Sequence, residues 1–169
     1  INVYGARAAR EYSDLTSIMQ KDPEVVATAP FVLGQAILSC QDRTSGVVLK
    51  GLDPAQEFKV NSLSQSLQEG SWANLKDGKV PGIVLGEELA RSIGAWVGTE
   101  VVLISPKSVA TPLGLLPKMQ KFRVTGLLHT GYYEYDSTTG YADLQVAAKF
   151  FGVEAGATGI SAKLRDIGM

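Results

Sequence analysis

The residues that could carry out hydrolysis lie in one short stretch of the sequence. The single histidine, His129, is followed seven positions later by Asp136, and Ser137 stands beside that aspartate. A hydrolase needs a nucleophile and a base that a third group orients, so these three side chains are the candidates. No Gly-x-Ser-x-Gly motif is present. The alternative is a solvated or hydrogen-bonded histidine where a strand meets a loop. We predict this alternative and no catalytic residue.

Glu134 and Asp136 form a candidate carboxylate pair, and they alternate with Tyr133 and Tyr135. On a strand, the two carboxylates would share one face. There they could perform acid–base chemistry or bind a cation. The alternative is a turn in which the carboxylates accept hydrogen bonds from local backbone amides. The sequence favours the turn, and we predict no metal site.

Cofactor and nucleic-acid sites have little support. A single cysteine, Cys40, excludes an intrachain disulfide and a Cys-x-x-Cys metal site, and its apolar neighbours predict a small buried residue. The stretch Gly82–Gly86 lacks the lysine and the glycine spacing of phosphate-binding loops. Glu87 and Glu88 follow it and would repel a phosphate. The formal net charge of −1 does not favour nucleic acid, and we predict no cofactor.

Apolar periodicity and turn residues predict the elements that position these side chains. We predict strands over residues 1–4, Val25–Cys40, 47–52, Gly82–Gly86, 101–105, 121–128 and 160–164. Helices are predicted over residues 12–20, Glu87–Ile93 and 143–151, with a polar turn at 41–46 and a loop at 107–120. Strands and helices mix without regular alternation, so the predicted fold class is α+β.

The predicted loop has an unusual composition, because loops are normally polar and short. Pro112 and Pro117 remove two amide donors, which disfavours a regular sheet or helix, and Gly114 permits a sharp reversal. Two explanations remain for its apolar side chains. They fold back as a lid over the domain's own core, or they protrude as a hairpin that inserts into a partner's groove. The side chains concerned are Leu113, Leu115, Leu116 and Met119.

The chain length and its ends indicate part of a larger protein. The 169 residues suffice for one core or two small subdomains. No apolar run approaches the roughly 18 residues that a membrane span requires, and no signal peptide opens the chain. The sequence begins on Ile1 within a strand-like segment and stops soon after another one, so we expect an excised domain.

Several segments together resemble the periplasmic domain of the LolC/LolE family, the permease subunits of the lipoprotein-releasing ABC transporter of Gram-negative bacteria. The run at residues 131–136, Gly-Tyr-Tyr-Glu-Tyr-Asp, is the most specific match. The other matching stretches are residues 29–32, 49–54, 83–90, 98–106, 111–117 and 126–130, together with Tyr141. They occur in family order between about Ala29 and Leu164.

The resemblance implies a fold and a location. The periplasmic domain of this family is similar to that of MacB-type transporters, with a Porter-like βαβ subdomain and an inserted Sabre-like subdomain of mixed α/β structure. Mapped by order, residues 1–46 are Porter-like and incomplete, and residues 47–154 are Sabre-like with a hook hairpin at 106–120. Residues 155–169 return to the Porter-like part. The full-length permease would be anchored in the inner membrane, with this domain in the periplasm.

The resemblance also explains the apolar loop. In LolC-type subunits a hairpin called the hook docks onto LolA, the periplasmic carrier of lipoproteins. The family pattern Thr-Pro-Met-Gly-x-Ile-Pro is matched by Thr111, Pro112, Leu113, Gly114, Leu115, Leu116 and Pro117. Leu113 replaces the methionine, and Val102 stands where a supporting arginine is expected. A supporting patch would therefore consist of Lys118, Gln120 and Lys121.

The resemblance implies further partners, and two alternatives stay open. A second permease subunit and a separate LolD-type ATPase would complete the transporter, and the domain would transmit motion without being an enzyme. The first alternative is a MacB-like efflux or mechanotransmission domain that binds a periplasmic adaptor. The second is a hydrolase that uses His129 and Asp136.

Overall fold

The computed structural model of the chain describes residues 2–4, 25–61, 63–73, 75, 79–153 and 157–164, with the backbone alone at 2–4, 107–109, 111 and 164. The strands are β1 (Asn2–Tyr4), β2 (Val25–Cys40), β3 (Arg43–Leu52), β4 (Leu67–Gly70), β5 (Gly82–Gly86), β6 (Glu100–Thr111), β7 (Gly114–Leu128), β8 (Thr139–Asp143) and β9 (Gly159–Leu164). The helices are α1 (Pro54–Glu57), α2 (Glu87–Ile93), α3 (Tyr133–Thr138) and α4 (Leu144–Phe151), with a 3-10 turn at Leu63–Ser66. The helix predicted over residues 12–20 lies outside the described residues.

Six strands close into a ring, because each pairs with the next in the order β2, β3, β8, β5, β7, β6 and back to β2. The β3–β8 and β5–β7 pairs are parallel, and the other four pairs are antiparallel. Outside the ring, β9 pairs with the first half of β2, β1 pairs with β9, and β4 pairs with the end of β7. Closure leaves the ring without an exposed edge. Strands and helices together give the predicted α+β class.

The main hydrophobic core is formed by the ring strands and by one face each of α2 and α4. Its largest buried side chains include Leu38, Leu49, Ile83, Leu85, Leu89, Ile93, Leu103 and Phe122. Cys40 is buried in this core, as predicted. A second cluster surrounds Trp72, whose ring meets the rings of Phe58 and Tyr141 edge-on at centroid distances of 5.2 Å and 5.8 Å.

Both predicted helices that lie in the described part are confirmed, and their ends have clear causes. α2 ends at Gly94, whose left-handed backbone (φ 72°) is easily adopted by glycine. α4 begins after Asp143, whose carboxylate accepts hydrogen bonds from the amides of Gln145 and Val146. It ends at Gly152, which is also left-handed (φ 69°).

The loop predicted at 107–120 is wrong, because β6 and β7 continue through it as a hairpin. Pro117 lies within β7 opposite Ser108, and Pro112 lies in the two-residue turn. A two-stranded ribbon tolerates proline, because the missing N–H can face away from the partner strand. The polar turn predicted at 41–46 is also shorter than expected, since β3 begins at Arg43.

The carboxylates of Glu134 and Asp136 do not share a face of a strand, because both residues lie in α3. Asp136 is buried and accepts hydrogen bonds from the amide and hydroxyl of Thr130, both at 2.8 Å, and from the amide of Gly131 at 3.2 Å. Glu134 is exposed. The predicted turn with a backbone-bonded carboxylate is therefore confirmed for Asp136.

Gly51 allows α4 to pack against β3, which gives a test of this packing. A Cβ atom at Gly51 would lie 2.4 Å from Cβ of Ala147, whereas one at Gly46 in the same strand would meet nothing within 4 Å. We expect Gly51→Ala to lower the free energy of unfolding by about 1–3 kcal/mol, because helix and strand must separate. Urea denaturation of both variants measures this. Equal stability of Gly51→Ala and Gly46→Ala would contradict the packing.

Asp136→Ala tests the turn that precedes α3. The substitution leaves the amides of Thr130 and Gly131 without their acceptor, so we expect a loss of about 1–3 kcal/mol in the free energy of unfolding. Glu134→Ala, two residues away on the exposed side of the same helix, serves as the matched control and should change stability by less than about 0.5 kcal/mol. A structural role for Asp136 would be refuted if the two variants unfolded at the same urea concentration.

Candidate functional site: the hook hairpin

The strands β6 and β7 extend beyond the ring as a two-stranded arm. Among the described strands, β6 pairs with β2 only through Val102, Leu103 and Ile104. Past Ile104, it pairs with β7 alone, from Ser108 to the turn. We call residues 108–117 the outer arm, and residues 111–117 the hook.

The tip of the outer arm is a tight reversal. Thr111 pairs with Gly114 across the two-residue turn formed by Pro112 and Leu113. Proline fixes its own φ near the value that a turn needs at this position. Gly114 has φ 112°, a conformation that side chains rarely allow. The side chain of Thr111 lies outside the described part of the structure.

The apolar side chains of this hairpin point into solvent. The exposed fraction is 87% for Leu113, 73% for Leu115, 59% for Met119 and 44% for Leu116. The explanation of these residues as a lid over the domain's own core is therefore wrong. Neighbouring exposed apolar side chains of this size are typical of a contact surface for another molecule.

The exposed apolar surface continues at the base of the hairpin. Ile37 of β2 pairs with Ile104, and Ile104 pairs with Met119, so the three side chains form a row across adjacent strands. Ile37 is 41% exposed and Ile104 is half-buried. In the next row, Val102 lies between Ser39 and Lys121. Val102 therefore places one apolar side chain at the position where the resemblance predicts an arginine.

The three residues predicted as a supporting patch differ in their surroundings. The ammonium of Lys118 donates a hydrogen bond to the carbonyl of Lys149 at 2.6 Å. The amide of Gln120 donates to the carbonyl of Lys121 at 3.0 Å. The side chain of Lys121 is exposed on the same face of β7 as Met119.

The candidates for hydrolysis are not arranged as a relay. Nδ1 of His129 lies 3.0 Å from a carboxylate oxygen of Glu87 and 3.7 Å from one of Asp136. The hydroxyl of Ser137 donates to the carbonyl of Glu134 instead of facing the histidine. Within the described residues, no group of three or more His, Cys, Asp or Glu side chains could hold a metal ion.

A cleft of about 560 Å³ lies on the outer face of the sheet, and no sequence pattern predicted it. Its lining combines apolar floor residues of β2, β3 and β8 with tyrosines from the segment around α3. The lining residues include Phe31, Leu33, Val48, Tyr132, Tyr135 and Tyr141. Strand alternation places Leu33, Lys50 and Tyr141 in one row across three strands, but only the pairing register reveals it.

A buried ion pair lies beside this cleft. Glu57 is fully buried and accepts hydrogen bonds from the ammonium of Lys50 at 2.7 Å and from the side-chain amide of Asn61 at 2.8 Å. Burial, followed by the charges of Asp136 and Glu57, raises the pKa of the Tyr141 phenol.

In the described part of the chain, none of the helices combines the length and the apolar character needed to cross a bilayer.

Comparison with known proteins identifies the family of this domain. The model of the MacB-like periplasmic core domain matches residues 1–166. The chain is 33% identical over 157 residues to the lipoprotein-releasing system transmembrane protein LolC of Xylella fastidiosa (strain Temecula1 / ATCC 700964). It is 31% identical over 156 residues to LolC of Neisseria meningitidis serogroup B. These matches cover 93% and 92% of the chain, and in each case the chain spans 37% of the curated relative.

More distant relatives agree with this placement. LolE of Haemophilus influenzae is 26% identical over 117 residues, which cover 69% of the chain and 28% of that protein. The periplasmic region of MacB from Actinobacillus actinomycetemcomitans has the same fold, with a TM-score of 0.61 at 19% identity, covering 98% of the chain and 74% of that structure. The extracellular domain of the Gram-positive ABC-type transporter YknZ superposes with a TM-score of 0.62 at 13% identity, covering 91% and 73%. The chain therefore belongs to the MacB-like periplasmic core domain family, and the resemblance to LolC and LolE that its motifs indicated is confirmed.

Proposed function

We propose that this chain is the periplasmic domain of a lipoprotein-releasing ABC transporter permease, and that its hook recruits a LolA-type carrier. In this proposal, a separate LolD-type subunit hydrolyses ATP and a second permease completes the complex. The domain transmits motion on the periplasmic side of the inner membrane, so that lipoproteins pass to the carrier on their way to the outer membrane.

The observation that carries the proposal is the exposure of the hook's apolar side chains. Leu113 and Leu115 are 87% and 73% exposed on an arm that pairs with no other described strand. Burying one leucine in a partner's groove contributes roughly 1.5–3 kcal/mol. Association itself costs several kcal/mol, so a few such side chains give a modest affinity. A modest affinity suits a carrier that must leave with its cargo.

The base of the hairpin would supply the supporting contacts. Lys121 lies next to the row of Ile104 and Met119 on the same face of β7, whereas Gln120 lies on the opposite face. We assign to Lys121 the electrostatic contact that the family's arginine makes, because its exposed ammonium is adjacent to Val102. This contact would act mainly on the association rate.

The division into subdomains is part of the same proposal. Residues 1–46 and 155–169 would form the incomplete Porter-like part, and residues 47–154 the Sabre-like part. The pairing of β1 with β9, and of β9 with the first half of β2, supports this division, because these three strands come from the Porter-like segments. The hairpin belongs to the Sabre-like part, and its base pairs with the second half of β2, which comes from the Porter-like segment.

A MacB-like domain that binds a periplasmic adaptor is the alternative function. This chain shares its fold with the periplasmic region of MacB, but the two sequences are 19% identical. The relatives at 31–33% identity are LolC proteins, which favours the carrier. The two functions differ in the partner that the hook contacts.

Leu113→Glu should reduce crosslinking to a LolA-type carrier by about tenfold or more, because a charge replaces a side chain that must be buried. Replacement of Pro112 by glycine should act in the same direction by loosening the turn. The measurement is photo-crosslinking from position 115 to the purified carrier, with circular dichroism to verify folding.

Trp96→Glu is the matched control for this experiment. Trp96 is also an exposed apolar residue (67%), but it lies in the loop before β6, at the other end of the hairpin. We expect the Trp96→Glu variant to crosslink to the carrier as the wild type does. Unchanged carrier binding by Leu113→Glu would refute the proposal, and capture of an adaptor instead of the carrier would favour the alternative function.

A further inference from the structure

The two strands of the hook hairpin are not paired continuously. Ile104 pairs with Met119, and Ser108 pairs with Pro117, so three residues of β6 oppose the single residue Lys118 of β7. Such a bulge interrupts the ladder and bends the strand that carries the extra residues. The outer arm therefore joins the ring through a break, and strand pairing alone does not fix its direction.

The side chain opposite this break reaches across to α4. The ammonium of Lys118 donates a hydrogen bond of 2.6 Å to the backbone carbonyl of Lys149, which is 31 positions away in the sequence. The same nitrogen lies 5.9 Å from the ring centroid of Phe150. The hook hairpin is thus connected to the body of the domain at its point of weakest pairing.

The end of α4 suits this contact electrostatically. Lys149 lies in the last turn of the helix, just before the terminal Gly152. The Lys149 carbonyl accepts a hydrogen bond from the capping amide of Gly152 at 3.3 Å and has a second lone pair for Lys118, and carbonyl groups in the last turn carry partial negative charge. A cation placed there forms a charge-assisted hydrogen bond, which is stronger than one between neutral groups.

The helix itself is a firm anchor. Ala147, Ala148 and Phe150 are buried in the main core, and Gly51 of β3 lets the helix approach the ring closely. A contact to the end of α4 is therefore a contact to the rigid part of the domain.

We propose that Lys118 is a positioning residue for the hook. Its ammonium, the Lys149 carbonyl and the Phe150 ring form a brace that holds the outer arm in one direction relative to the ring. The role in docking rests on the proposed function, because a hook held in place loses less conformational freedom when a carrier binds. In this arrangement Lys118 acts through α4, and Lys121 acts on the carrier.

The brace predicts a change in the free domain, before any partner is added. Lys118→Met keeps the apolar stem and removes the charge. We expect the amides of residues 113–119 to exchange hydrogen for deuterium about three- to tenfold faster in this variant, whereas those of residues 122–128 remain unchanged. Hydrogen–deuterium exchange by mass spectrometry on the 169-residue chain measures both segments.

Two variants serve as controls. Lys121→Met removes a charge from the same strand, and it should leave the exchange of residues 113–119 unchanged. Lys118→Arg should restore slow exchange, because a guanidinium also donates to carbonyls and stacks on aromatic rings. The brace is overturned if residues 113–119 exchange at the wild-type rate in Lys118→Met. It is also overturned if Lys121→Met accelerates their exchange as much as Lys118→Met does.

Carrier binding then separates the brace from the proposed function. With a LolA-type carrier, Lys118→Met should raise the dissociation constant roughly two- to tenfold. Lys118→Arg should return it to the wild-type value. Faster exchange with unchanged affinity, while Leu113→Glu abolishes binding, would overturn the positioning role. If Leu113→Glu also binds normally, the proposed function fails, and the exchange measurement still decides whether the brace exists.

Discussion

The pairing of β6 with both β2 and β7 is the contact on which the rest of the structure depends. In the described part of the chain, three residue pairs join β6 to β2, and they close six strands into a ring. Closure removes the edges of this part of the sheet and encloses the main core, in which Leu103 packs with Phe122 and Leu38. The strands that complete the core are the same ones that extend outward as the hook hairpin. A buried wall and an exposed arm thus share one pair of strands.

This sharing sets the mechanical character of the hook. At their base the two strands are held by the ring, and further out they pair only with each other. The break in pairing opposite Lys118 would leave the arm free to swing if nothing else contacted it. α4 provides that contact through the carbonyl of Lys149. The helix is part of the core, so the direction of the hook hairpin is linked to the packing of α4 against Gly51 of β3.

The polar residues that were candidates for catalysis make hydrogen bonds and ion pairs within the fold. Asp136 accepts hydrogen bonds from the backbone that leads into α3, and Glu57, which no sequence pattern singled out, forms a partly buried ion pair with Lys50. His129 lies between the carboxylates of Glu87 and Asp136, so neighbours in two elements, α2 and α3, orient its ring. Amide donors stabilise a carboxylate that is buried among them. A structural carboxylate of this kind resembles a catalytic one in sequence, because structural and catalytic sites both place polar groups away from water.

Much of this protein follows from local sequence. Apolar periodicity and the glycines at 94 and 152 determine α2 and α4, since a helix tends to end where a glycine can adopt the left-handed backbone conformation without steric strain. The pattern Thr-Pro-Leu-Gly-Leu-Leu-Pro indicates a tight reversal, and apolar side chains that either the domain's own core or a partner must cover. What the sequence could not determine depends on contacts between distant residues. Segments far apart in the chain determine four such features: ring closure, the exposure of Leu113, the cleft beside Tyr141 and the contact of Lys118 with α4. Only the tertiary structure decided them, because pairing register and side-chain reach are set by packing of the whole domain.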